Sequence, residues 1–133
     1  MLTHKGTQML ETQRLILRRF SVEDAENMYN NWANDERVTY FLSWEPHSSQ
    51  EVTKELITEW CTHYDEENYY HWIIEFDGTV VGSIAVVLID EKNEWAEIGY
   101  TIGFSNWRKG IAPEAAAAVR DFLFSEVGFN RLV

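Results

Sequence analysis

The sequence predicts a mixed α/β fold of the α+β kind, with a mostly antiparallel sheet flanked by helices. Three stretches carry that expectation. Tyr69 to Glu75 and Thr79 to Asp90 are strand-like runs joined through Phe76-Asp77-Gly78, and Asp-Gly supplies the positive φ values of a two-residue hairpin turn. Trp95 to Ile102 alternates between two faces, with Ala96, Ile98, Tyr100 and Ile102 on one and Trp95, Glu97, Gly99 and Thr101 on the other. After Ile111, five of the next eight residues are alanine, the strongest helix former.

The other elements follow in order. Residues 1–9 read as a loose leader without the apolar core of a signal peptide. Leu10 to Phe20 reads as the first strand, with Leu15 and Leu17 on one face and Ile16 blurring the pattern. Ser21 is a good N-cap with Asp24 three residues on, so the first helix should run from Val22 to about Trp32. Residues 34–47 are irregular and rich in aromatics, and Pro46 ends any helix there. Ser48 and Glu51 form a capping-box pattern for a second helix from about Ser49 to Tyr64, with Val52, Leu56, Ile57 and Trp60 as its apolar stripe. Gly82 is a candidate bulge, and residues 91–94 turn the chain into the Trp95 strand, giving a three-strand meander. The alanine-rich helix runs from Ile111 to about Val127, buries Ala115, Ala116, Val119, Phe122 and Leu123, and stops at Gly128. Residues 129–133 begin another strand.

Composition narrows the class. A chain of 133 residues with 45% hydrophobic and 14% aromatic content can build one globular domain, spanning 1–133. The net charge of −11 opposes nucleic acid and anionic membrane as partners and favours a cationic acceptor, though acidity also serves solubility. No apolar run is long enough to span a membrane. Cys61 is the one cysteine, which excludes an internal disulfide and suits a reducing, cytoplasmic setting. His4, His47, His63 and His71 lack ligand spacing, so no metal site is expected.

The start of the alanine-rich helix carries the chemistry. Gly110 lets a ligand approach the backbone, Pro113 sits in the first turn where its missing N–H costs nothing, and Arg108 and Lys109 lie just upstream. The first N–H groups of a helix have no internal partner, and the macrodipole adds positive charge, so this is an anion site with phosphate as the usual anion. An ordinary strand–loop–helix connection with two solvated cations is the plainer reading. No G-x-x-x-x-G-K-[ST] and no G-x-G-x-x-G after a strand is present.

The run Trp107-Arg-Lys-Gly-Ile-Ala112 with Pro113-Glu114-Ala115 resembles the acetyl-CoA signature Q/R-x-x-G-x-G/A of the GNAT N-acetyltransferases. Ala96-Glu-Ile-Gly-Tyr100 and Glu11-Thr-Gln-Arg-Leu-Ile-Leu-Arg18 resemble its Rim-type branch, the ribosomal-protein N-terminal acetyltransferases. Trp107 departs from the general Gln/Arg and looks like the Rim-type variant. The resemblance implies direct transfer of an acetyl group from acetyl-CoA to a primary amine, either a protein N-terminus or a small-molecule amine. It implies that the backbone of Tyr100, Thr101 and Ile102 holds pantetheine and that Gly103 eases the exit from the strand. The amides of Arg108, Lys109, Gly110, Ile111 and Ala112 would cradle the pyrophosphate, with Trp107 opening the signature.

Such a transfer needs a base to deprotonate the amine, and Glu97, opposite the apolar face of its strand, is the candidate. A solvated strand carboxylate is the alternative. The resemblance also places the acceptor site between the first two helices. That makes Trp32, Tyr40, Phe41 and Trp44 candidate pocket residues, although such aromatics equally suit a core. Rim-type enzymes continue beyond the strand at Val133, so the resemblance implies a fold incomplete at its C-terminus. On that reading, exposed strand edges invite pairing with a second copy or another protein, and a noncatalytic CoA-binding or strand-pairing module completed by a partner is the second function.

Overall fold

A computed structural model describes residues 1–39 and 45–133. The strands are β1 (Leu10–Glu11), β2 (Leu15–Arg18), β3 (His71–Phe76), β4 (Thr79–Asp90), β5 (Trp95–Ile102) and β6 (Arg131–Leu132). They form one sheet in the order β1-β2-β3-β4-β5-β6, with every neighbouring pair antiparallel except β5 and β6, which are parallel. The mixed, mostly antiparallel sheet expected from the sequence is therefore present. The six strands make one continuous sheet, with β6 hydrogen-bonded to β5.

The helices are α1 (Ala25–Met28), α2 (Glu36–Thr39), α3 (Gln50–Cys61) and α4 (Ile111–Phe122). A 3₁₀ turn at Val22–Asp24 leads into α1, and a π-helical turn at Tyr29–Ala33 leaves it, so the first helix is helical throughout but not uniformly α. Its start is the expected capping box, in which Ser21 Oγ accepts from the Glu23 amide and the Asp24 carboxylate accepts from the Ser21 amide. Arg18 grips the same carboxylate with both terminal nitrogens, at 2.8 and 2.9 Å, and so ties β2 to the helix start.

Three local expectations are corrected. The first strand is two strands, because Thr12 turns the chain: its amide donates to the Leu15 carbonyl and its hydroxyl accepts from the Leu15 amide. The second helix is capped by Ser49, not Ser48, through the Val52 amide. Ile57 is fully buried and Trp60 packs beside it as expected, but Val52 is exposed and Thr53 takes its place on the buried face. The register shift in β4 lies beside Gly82, at Val81, with a second shift at Val87. The hairpin at Asp77-Gly78 is as expected, with φ of 54° and 78°, and Gly128 ends the last helix at φ 102°.

The sheet is covered on both faces. Ala115, Val119, Phe122 and Leu123 of α4 pack on Leu15, Leu17, Trp72, Ile74, Ile84 and Ala96. The first helix and α3 pack Met28, Trp32 and Ile57 on Ile73 and Val80 of the other face. Fully burying such side chains contributes about 1.5–3 kcal/mol each. Because β3 is buried on both faces, its sequence reads as a continuous apolar run rather than an alternating one.

His71 opens β3 against the rings of Phe20, Trp60 and Tyr69, with its Nδ1 3.0 Å from the Tyr69 hydroxyl. Burial lowers its pKa from 6.5 to about 4. The unfolded chain takes up this proton first as pH falls, so the stability contribution is complete above pH 6.5 and is lost as pH drops towards 4. Urea unfolding should therefore show roughly 2 kcal/mol less stability from this group at pH 5 than at pH 7. A His71→Gln protein should lose that part of the pH dependence; an unchanged slope would contradict the assignment.

Candidate functional site

The end of β5, the loop after it and the start of α4 enclose one cavity of about 610 Å³. Tyr100, Thr101 and Ile102 form the strand wall, Trp107, Arg108 and Gly110 the loop wall, and Ile111, Ala112 and Pro113 the helix wall. Val38 of α2 and Asn106 complete the lining. β6 pairs with β5 at Trp95 and Ala96, and the Val133 carbonyl accepts from the Ile98 amide, so these contacts lie at the far end of β5 from the cavity.

The loop is built to present backbone. Gly110 is the N-cap residue of α4 at φ 76°, a left-handed conformation that glycine adopts without penalty. Among the described residues no side chain caps the helix, so its first N–H groups remain available to an outside acceptor. Arg108, at φ 67°, holds a second left-handed turn two residues earlier. The Trp107 indole N–H donates to the Ile102 carbonyl at 2.7 Å, which folds the loop back onto the strand end. Phe104 packs against Trp107 with centroids 4.7 Å apart, and the Arg37 guanidinium lies 3.7 Å from the centre of the Phe104 ring. Lys109 Nζ donates to Asn106 Oδ1 at 3.1 Å.

The other end of the helix start is tied to the sheet. Glu114, in the first turn of α4, accepts from the Thr12 hydroxyl, from the Arg14 amide at 3.1 Å and from Arg14 Nε at 2.7 Å. The Thr12 hydrogen bond, then Arg14, holds its carboxyl below the usual carboxylate range.

Of the residues singled out for the cofactor, Tyr100, Thr101, Ile102, Trp107, Arg108, Gly110, Ile111 and Ala112 line this cavity. Gly103 and Lys109 do not. Gly103 is instead a packing residue, since a Cβ there would stand 2.7 Å from the Asn31 carbonyl oxygen. Glu97 is exposed on the same strand face as Thr101, about 13 Å away along the strand at 3.3 Å per residue, and does not line the cavity. Trp32 is 1% exposed and belongs to the core beneath the first helix, which corrects its reading as a pocket residue. Tyr40, Phe41 and Trp44 lie outside the described residues. Sequence reasoning missed Val38, which sits where no periodicity exists, and the Thr12–Arg14–Glu114 knot. Among the described residues no three metal-ligating side chains cluster, and no helix is long and apolar enough to cross a membrane.

Residues 14–133 match the family model of the acetyltransferase (GNAT) domain. The chain is 36% identical over 126 residues to the uncharacterized N-acetyltransferase YoaA of Bacillus subtilis (strain 168), a match covering 93% of this chain and 71% of that protein. It is 30% identical over 127 residues to the uncharacterized N-acetyltransferase p20 of Bacillus licheniformis, covering 94% and 71%. Its fold is similar, with a TM-score of 0.74 and 19% identity, to that of RimL, a ribosomal L7/L12 α-N-protein acetyltransferase in complex with coenzyme A, covering 86% of this chain and 66% of that one. The family match takes in β5, the Gly110 loop and α4 together, and the chain belongs to the GNAT acetyltransferases, a family of acyltransferases.

Proposed function

We propose that this chain binds acetyl-CoA in the cavity between β5 and α4 and transfers the acetyl group to a primary amine. The observation that carries the reading is the uncapped start of α4 behind a left-handed Gly110, open to a cavity whose other wall is the end of β5. A phosphate-bearing ligand fits this donor set, because backbone N–H groups and the helix dipole both favour an anion there. Bound acetyl-CoA supplies the activated thioester. The strand supplies backbone groups of Tyr100 and Thr101 for an extended, amide-bearing arm, and the indole of Trp107 keeps the loop on the strand end.

A protein N-terminus is the proposed acceptor, a reading supported by the fold likeness to a ribosomal-protein acetyltransferase and by the net charge of −11. The lone, free Cys61 accords with a cytoplasmic setting.

Glu97 is the proposed base, reaching the amine along the strand face it shares with Thr101. Its distance from the cavity makes relay through water part of this role. Glu97→Gln should lower kcat at neutral pH about tenfold or more, with acetyl-CoA affinity unchanged. Steady-state kinetics on an N-terminal peptide beside calorimetry would check both, and full turnover would remove Glu97 from the mechanism.

A further inference from the structure

Arg14 stands beside the Gly110 loop although it comes from the turn before β2. Its Nε is held at 2.7 Å by Glu114 Oε1, while its backbone N–H donates to the other oxygen of that carboxylate at 3.1 Å. The guanidinium is thereby fixed at one edge only. Neither terminal nitrogen donates to any described residue, and one of them, Nη2, lies 3.4 Å from where a Cβ on Gly110 would be. The ring of Phe76 supports the group from below, with the guanidinium carbon 5.7 Å from its centre, and Lys109 Nζ lies at the same distance from that ring.

Glu114 costs the site a negative charge in the first turn of α4, where an anion is to bind. Thr12 and Arg14 offset that charge, and the free fork of Arg14 adds two donors in the plane that matches a phosphate. We infer that Arg14 is a direct ligand of a phosphate group of CoA, with Glu114 as the residue that positions it. The inference rests on the proposed cofactor reading. The shared chemistry is a phosphate oxyanion, which CoA offers both in its pyrophosphate and on its ribose.

The test is calorimetric titration of the wild-type chain, Arg14→Gln, Arg14→Lys and Glu114→Gln with CoA and with 3′-dephospho-CoA, at low and at moderate salt. Arg14→Gln should bind CoA about tenfold or more weakly and with a shallower salt dependence. Arg14→Lys should recover part of the loss as a point charge. Glu114→Gln, which loosens the same knot but keeps the cation, should bind closer to wild type than Arg14→Gln does. A loss that persists with 3′-dephospho-CoA assigns the contact to the pyrophosphate; a loss confined to CoA assigns it to the ribose phosphate. Wild-type affinity in Arg14→Gln, or a matching loss in Glu114→Gln with an unchanged salt dependence, overturns the inference and leaves CoA binding standing. A wild-type chain that does not bind CoA overturns both.

Discussion

Gly110→Asp should bind acetyl-CoA at least about 100-fold more weakly than wild type, a loss of about 2.7 kcal/mol. Two effects add. A side chain at φ 76° is strained, and its Cβ would stand 3.4 Å from Arg14 Nη2. The carboxylate would then occupy the anion cradle at the uncapped start of α4 and repel a phosphate there. Gly110→Ala separates the two, since it brings the strain without the charge and should lose distinctly less affinity. Both variants should keep the fold, because Gly110 is exposed and no core side chain touches its missing Cβ. Calorimetry and thermal melts on the pair would check this. Unchanged affinity in Gly110→Asp would remove the phosphate-cradle reading.

Gly82→Ala should be the most damaging single methyl in the sheet. Gly82 pairs with Ile74 on one side and Ile102 on the other, and a Cβ there would stand 2.1 Å from the Thr101 carbonyl oxygen and 3.0 Å from the Ile102 Cα. Both neighbours are backbone and cannot swing aside, so β5 would have to move. Overpacking of this kind costs about 1–3 kcal/mol, occasionally more. The same shift displaces Thr101 and Ile102, which wall the cavity, so cofactor affinity should fall together with stability. Urea unfolding and titration of one preparation would read both. A stable Gly82→Ala protein with normal affinity would contradict the close approach of β4 and β5.

Much of this was legible in the sequence where one local signal sufficed. Thr79 to Asp90 and Trp95 to Ile102 match β4 and β5 residue for residue, because Asp77-Gly78 pins one end and strict alternation marks the other. Gly110, Pro113 and the alanines marked the helix start because each has a reason to stand there. What stayed hidden depends on long-range partners. The turn at Thr12 carries no glycine or proline, and its hydroxyl closes it only because Leu15 is held in the sheet. Arg14 reads as one more strand-flanking cation, since Glu114 lies 100 residues away. Trp32 looked like any aromatic near an acceptor site until the packing of the first helix turned it inward. Glu97 carries its strand face correctly, but sequence position alone could not measure its distance from the cavity.

The most direct measurement is a calorimetric titration of the purified 133-residue chain with acetyl-CoA, with Gly110→Asp alongside. Micromolar binding by the wild type that disappears in Gly110→Asp is the expected result, and it would place the cofactor on the α4 start. No binding by a folded wild-type chain, or equal binding by both, would contradict the account.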